Sequence, residues 1–230
     1  MATIRLMTSN SVRGVLDEAL PRFERATGHK VAVSYDPAKV MLRRIRGGET
    51  GDLALLSSGA IDELIKEGRL AAATRRELAR CGVGVGVRAG ARKPDIGTVD
   101  AFKKAMLEAK SIAHTVEGAS GMHFAGLIER LGIAPQVKAK AKTQGGGLVG
   151  EIVARGDAEL AIQQIPELLA VPGIELAGPL PAEIQVISVS VATLFTGAAE
   201  PAAAQQLIDY LATPEAAKVY RAKGHEPVAA

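Results

Sequence analysis

Apolar and polar positions along this chain switch repeatedly between a period near two and a period near 3.6. Residues 3–7 form a short apolar-rich run that opens into Thr8-Ser9-Asn10-Ser11. Val12, Val15, Leu16, Ala19, Leu20 and Phe23 then recur at the i, i+3, i+4 spacing of one helix face. Ser11 is placed to cap that helix and Gly28 to stop it, and Pro21 predicts a kink inside it. HKVAVSY (29–35) is the next strand, and residues 39–46 a short basic helix closed by Gly47-Gly48. DLALLSS (52–58) is a third strand, and Ile61, Leu64 and Ile65 mark the helix behind it. The order β-α-β-α-β-α predicts a parallel sheet with helices on both faces.

CGVGVGVRAG (81–90) then reads as a glycine-valine strand and a polar turn. The alternation resumes with a helix from Thr98, the strand SIAHTV (111–116), and a helix from about Ser120 to Leu131. The strand VKAKAKT (137–143), a helix from Gly146 to Ala154, and the strand ELAIQQ (159–164) follow. IQVISVSVATLF (184–195) is a second long strand, and two helices starting near Pro201 and Pro214 close the chain, each with proline in its first turn. Two α/β blocks joined by two crossing strands imply a two-lobe architecture, with residues 1–85 plus 195–230 as the first lobe and 86–194 as the second. A ligand is then expected in an interlobe cleft, facing the carboxyl ends of the strands.

Composition narrows the function. The chain is 47% apolar and 23% charged with a net charge of +3, ordinary for a globular protein and short of the basic excess of a dedicated nucleic-acid binder. With no Trp, four Phe and three Tyr, base-stacking platforms are nearly excluded. The single Cys81 rules out an internal disulfide. MATIRLMTSN has no signal-peptide pattern, and no apolar run is long enough to span a membrane. The expected location is therefore cytoplasmic, or periplasmic if an export signal has been removed. No metal-ligand spacing, G-x-S-x-G or P-loop motif is present, so neither metal nor cofactor is expected.

The residues at the strand-to-helix handovers carry the candidate chemistry. They are Thr8, Ser9, Asn10 and Ser11; Pro37, Ala38 and Lys39, with Arg43 and Arg44 a turn later; Ser57 and Ser58; Ser120, Gly121 and His123; Thr143 to Gly147; and Gln163-Gln164. This set is rich in hydroxyls, amides and glycines, and helix N-termini beside it favour anions. Each residue also has a duller reading. Ser11 is by default an N-cap, and Arg43, Arg44 and Arg46 form an ordinary solvated helix face. His123 reads as a polar residue at the rim of the site or as a catalytic base. His29 and His225 read as surface residues, and His114 as packed within its strand. GGGLVG (145–150) matches a dinucleotide fingerprint but lacks its context, which favours a glycine-loosened helix start.

The run from Leu6 to Ser58, together with EGASGMHFAGLIERLGI, VARGDAELAIQQIPEL and YLATPEAAKVYRAKGHEPV, resembles type 2 periplasmic solute-binding proteins of the molybdate-binding-like branch. The resemblance implies an α/β two-lobe fold with two crossover strands, a monomer, and capture of a small oxyanion or organic carboxylate for an ABC transporter permease. It places ligand contacts at Ser11, Ser120 and near Gln163, beside Thr8, Ser9, Lys39, Arg43, Ser57, Ser58, Gly121 and His123. Pro37-Ala38-Lys39 stands where that branch carries a serine cluster, and no tyrosine lies near Ile187. Charged donors suit carboxylate or phosphate groups better than molybdate. The same branch includes an isomerase of aconitate, which implies an alternative in which His123 or Lys39 is the base.

Overall fold

Two central sheets, one in each of two contact units, organise the computed structural model, which describes residues 1–228. The first unit comprises Met1–Arg80 and Ser188–Ala230, the second Cys81–Ile187. In chain order the elements are β1 (Thr3–Ser9), α1 (Arg13–Thr27), β2 (Lys30–Asp36), α2 (Ala38–Arg46), β3 (Leu53–Ser57), α3 (Ser58–Lys66) and β4 (Arg76–Cys81). There follow β5 (Val83–Arg88), α4 (Val99–Glu108), β6 (Ile112–Thr115), α5 (Ala119–Arg130), α6 (Ala134–Lys138), β7 (Ala141–Gln144) and α7 (Gly150–Ala154). The chain closes with β8 (Leu160–Gln164), α8 (Ile165–Leu169), β9 (Ile174–Pro179), β10 (Ser188–Leu194), α9 (Pro201–Leu211), α10 (Pro214–Ala222) and β11 (Glu226–Pro227).

The first sheet has the order β11-β4-β10-β3-β1-β2, with β1 parallel to β2 and β3 but β10 antiparallel to β3. Its central strand β3 is buried on both faces, so Leu53–Leu56 reads as an unbroken apolar run, whereas the edge strand β2 has no fully buried residue. Ile4, Leu6, Leu53 and Leu55 pack beneath α1, α9 and α10, while Met7, Ala54 and Leu56 face Met41, Ile45, Ile61 and Leu64 of α2 and α3. Asp52 anchors the amino end of β3 and is fully buried. Its carboxylate accepts hydrogen bonds from the backbone N–H of Arg5 (2.8 Å), Ala199 (2.7 Å) and Glu200 (3.0 Å).

The second sheet has the order β7-β6-β8-β5-β9, with β6 parallel to β7 and β8, and β5 antiparallel to both β8 and β9. Val83, Val85 and Val87 join Phe102, Phe124 and Leu127 in its main core. The intervening glycines answer a steric demand on the other face. A Cβ on Gly84 would lie 2.9 Å from Ile165 Cγ1, and one on Gly86 2.9 Å from Leu168 Cδ2.

Several local expectations are corrected. Both sheets are mixed rather than parallel, because β10 and β5 run against their neighbours. Ser11 is not an N-cap: it lies inside a single 3-10 turn, Asn10–Val12, and α1 starts at Arg13. Pro21 sits exposed within a helix that runs unbroken from Arg13 to Thr27, where it lacks the N–H to bond the carbonyl four residues back. VKAKAKT divides between α6 and β7, and the helix placed at Gly146 starts at Gly150. The strand placed at 184–195 begins at Ser188 after a 3-10 turn. Gly28 does end α1, in the left-handed conformation with φ of 76°.

Candidate functional site

In the first unit β1 lies between β3 and β2, all three parallel, with Ser9 opposite Asp36 and Thr8 opposite Leu55. Their carboxyl ends therefore share one edge of the sheet, and α1, α2 and α3 start from that edge. None of these helices has an acidic residue in its first turn, and their N-caps Val12, Pro37 and Ser57 make no side-chain capping bond. First-turn N–H groups of α2 and α3 thus have no capping side chain and, with the positive ends of the helix dipoles, favour an anion, while at α1 the Arg13 N–H is taken by the Asn10 carbonyl. Two of the starts carry a cation where the dipole disfavours one: Arg13 opens α1 and Lys39 is second in α2.

Ser9 and Ser11 are half-buried, and their hydroxyl oxygens are 3.0 Å apart. Ser57 and Ser58 are also half-buried, at the end of β3 and the start of α3. Thr8 is completely buried and donates to the Leu55 carbonyl at 2.7 Å, so it ties β1 to β3. Lys39 is exposed, and Arg43 is exposed one turn further along α2. Arg44 is held by Asp36 and Glu49, and Arg46 by Glu63 at 2.7 Å and Glu67 at 2.6 Å. The guanidinium of Arg44, read from sequence as a candidate anion contact, is therefore committed to two carboxylates of its own unit.

Sequence reasoning missed Arg13. Its guanidinium lies 4.2 Å over the Tyr35 ring, and Nη2 donates to Asn10 Oδ1 at 3.4 Å. Burial pushes the Tyr35 phenol up to about 12, so that hydroxyl stays neutral. A basic residue in the first turn of a predicted helix was the available signal.

In the second unit β6 lies between β7 and β8, parallel to both, with Thr115 opposite Gln144. Val116 N–H continues the ladder to Gln144 O at 2.9 Å before α5 begins. The N-cap Gly118 makes no side-chain bond, and the first turn of α5 has no acid. Ser120 and Gly121 are buried against the strand end. A Cβ on Gly121 would lie 1.8 Å from the Thr115 carbonyl oxygen, and one on Gly118 2.5 Å from Thr115 Oγ1. Only glycine at both positions lets the helix start rest directly on β6.

His123, half-buried, donates from Nε2 to the Ile184 carbonyl at 2.9 Å, which leaves Nδ1 as the nitrogen able to accept a proton. Gln163 is almost fully buried, and both ends of its amide are used. Oε1 accepts from Val149 N–H at 2.9 Å, and Nε2 donates to Gly147 O at 2.7 Å. The residue read as a ligand contact is thus placed as a brace for the glycine turn. Beside it, desolvation raises the Glu167 carboxyl to about 7 against hydrogen bonds from Gln164 N–H and the Gln163 side chain. Burial likewise pushes the Cys81 thiol up to about 12. His114 is packed as read, edge-on to Phe124, but His225 is not a surface residue: it is 4% exposed and donates to the Ser11 carbonyl at 3.1 Å. Among the described residues no cluster of His, Cys, Asp and Glu is arranged to hold a metal ion, and no helix is long and apolar enough to cross a membrane.

Comparison with known proteins places these features in context. The family model described as bacterial extracellular solute-binding protein matches residues 4–226. An aconitate isomerase from a Pseudomonas species is 33% identical, with 100% of this chain and 90% of the relative covered. The molybdate-binding protein ModA of Azotobacter vinelandii is 28% identical over 97% of this chain and 90% of its own. Among solved structures, the Azotobacter vinelandii periplasmic molybdate-binding protein superposes with a TM-score of 0.80 at 19% identity, covering 96% of this chain and 98% of the other. The sulfate-binding protein SubI of Mycobacterium tuberculosis does so with a TM-score of 0.78 at 18% identity, covering 99% and 88%.

Proposed function

Because this chain belongs to the bacterial extracellular solute-binding protein family, we propose that it captures a small anion through donors that stand at strand carboxyl ends. The observation that carries this reading is the set of four helices, α1, α2, α3 and α5, that start at strand carboxyl ends with no acid in the first turn. Helix starts ordinarily gain from an acidic residue, so its absence four times leaves a favourable site for an anion. Arg13 and Lys39 add charge to two of these starts and favour a carboxylate- or phosphate-bearing ligand over a bare metal oxyanion. In this reading Ser9, Ser11, Ser57, Ser58 and Ser120 supply hydroxyls, and Gly121 lets backbone N–H approach. Family membership supports delivery to an ABC transporter permease outside the cytoplasm as the setting.

Calorimetry and thermal shift against molybdate, sulfate, phosphate and trans-aconitate test it. The expected result is saturable binding of one anion per chain, a rise in melting temperature, and ligand recovered unchanged. Absence of binding by every anion would overturn the reading.

The whole-length relationship to a protein named aconitate isomerase favours a second reading, in which the bound acid is turned over. Such a reaction removes a proton from the methylene that is α to one carboxylate and allylic to the carbon–carbon double bond, and returns one at the far end of the allylic unit as the double bond shifts. The accepting Nδ1 of His123 or the Lys39 amine would act as base, and cations would hold the carboxylates. Proton NMR of cis- and trans-aconitate incubated with the protein tests this. Interconversion that disappears in His123→Asn or Lys39→Met supports it, and unchanged acids exclude it.

A further inference from the structure

His225 is almost fully buried, yet it is poorly satisfied as a polar group. Its Nε2–H donates to the Ser11 carbonyl at 3.1 Å, while Nδ1 is buried with no hydrogen-bond partner among the described residues. The Tyr220 hydroxyl beside it is also buried without a partner, with the two rings edge-to-face and 5.6 Å apart. A phenyl ring would fill this space without burying an unpaired nitrogen, so histidine here carries a stability cost. The one thing it supplies that an apolar ring cannot is the N–H held against Ser11.

The surrounding chain keeps that N–H in place. His225 N–H bonds to Tyr220 O at 2.9 Å, wrapping the end of α10. Lys223 pairs with Glu18 of α1 at 3.3 Å, β11 pairs with β4, and Val228 N–H bonds to Leu78 O at 3.0 Å. The imidazole is thereby fixed against the Asn10–Val12 turn, which carries Ser11 and follows Ser9. We propose that His225 is a positioning residue for anion binding: its imidazole N–H holds the Ser11 carbonyl and so sets the direction of the hydroxyls and N–H groups of that turn. This rests on the reading of Ser9 and Ser11 as anion donors.

The test is calorimetric titration of wild type, His225→Phe, His225→Gln, Ser11→Ala and the double variant Ser11→Ala/His225→Phe with molybdate, sulfate and trans-aconitate, alongside melting temperatures. His225→Phe keeps the ring and loses the donor. It is expected to melt at or above the wild-type temperature while binding the anion about tenfold more weakly, the scale of one hydrogen bond. His225→Gln, whose amide restores a donor, is expected to recover most of that loss. In the Ser11→Ala background the effect of His225→Phe should shrink, because the two residues act in series. Wild-type affinity in His225→Phe, or an undiminished loss in the double variant, overturns the proposal. If His225→Phe does not fold, nitrogen-15 NMR of the wild-type imidazole decides. A protonated Nε2 whose resonance shifts on adding the anion supports the proposal, and a protonated Nδ1 or an unmoved resonance overturns it. If wild type binds none of the anions, the anion reading itself has failed and this inference falls with it.

Discussion

At the scale of single residues, the candidate site divides into groups proposed as ligand donors and groups whose hydrogen bonds brace the turns. Thr8 and Gln163 are braces, since each is buried with its hydrogen bonds made inside the protein. Ser11 lies in the 3-10 turn before α1 and Ser120 in the first turn of α5; in the proposed anion reading each is a donor, and replacing either with alanine is expected to weaken anion binding by about 1.5–3 kcal/mol, the range for hydrogen bonds to charged groups. Calorimetry reads that loss, with melting temperature as the control. Lys39→Met should cost more affinity for trans-aconitate than for molybdate, because Lys39 is an exposed cation suited to a separate carboxylate. Equal losses for both anions would remove the argument for an organic ligand. These residue types could be located from strand-to-helix handovers alone. Which hydroxyl or amide is already engaged could not, because Leu55, Gly147 and Val149 reach them from other segments.

At the scale of elements, the decisive feature is how closely α5 starts against β6. Gly121→Ala would bring a methyl into the Thr115 carbonyl, so the helix start must shift. We expect a destabilisation of about 3 kcal/mol, at the upper end for overpacking, together with loss of anion affinity. Denaturant unfolding and titration check the two effects. The amino end of β3 depends similarly on Asp52. Burial alone would raise its carboxyl, but the backbone N–H groups of Arg5, Glu200 and Ala199 and the Arg5 charge outweigh that and hold it below the usual aspartate range. A group with a lowered folded value stabilises above its unfolded value, about 3.9, and that contribution is lost as pH falls through the folded one. The stability gap between wild type and Asp52→Asn should therefore be constant above about pH 5 and close below about pH 4. Asp52 was legible as lying at a strand start, but its role as anchor was not. Two of its three N–H partners lie about 150 residues further along the chain.

At the scale of the whole molecule, the buried His225 and the half-buried Glu167 oppose each other in acid. Desolvation lowers His225 to about 4, although its bond to Ser11 works the other way. The unfolded state, titrating near 6.5, then binds more protons, so the first unit should lose stability as pH falls from about 6.5 to about 4. Glu167 is raised to about 7, so burying it costs the second unit stability above its ordinary carboxylate value. That cost is relieved as pH falls from about 7 towards about 4.5. Hydrogen exchange should accordingly show protection in the first unit falling between pH 7.5 and 5 while protection in the second rises. His225→Phe should flatten the first trend and Glu167→Gln the second.

The alternation of apolar runs with glycine- and serine-rich turns determined the α/β class, the order of most elements, and the strand ends where the donors stand. These are local properties: periodicity, caps and turn residues act over a few positions. In the structure α9 and α10 pack with α1 in the core of the first unit. Tertiary structure decided the antiparallel placement of β10 and β5, the pairing of Arg44 and Arg46 with carboxylates, the burial of His225 under Ser11, and the need for glycine where α5 meets β6. Each depends on segments distant in sequence coming within a few ångströms, and no local pattern records which partner will fill that space.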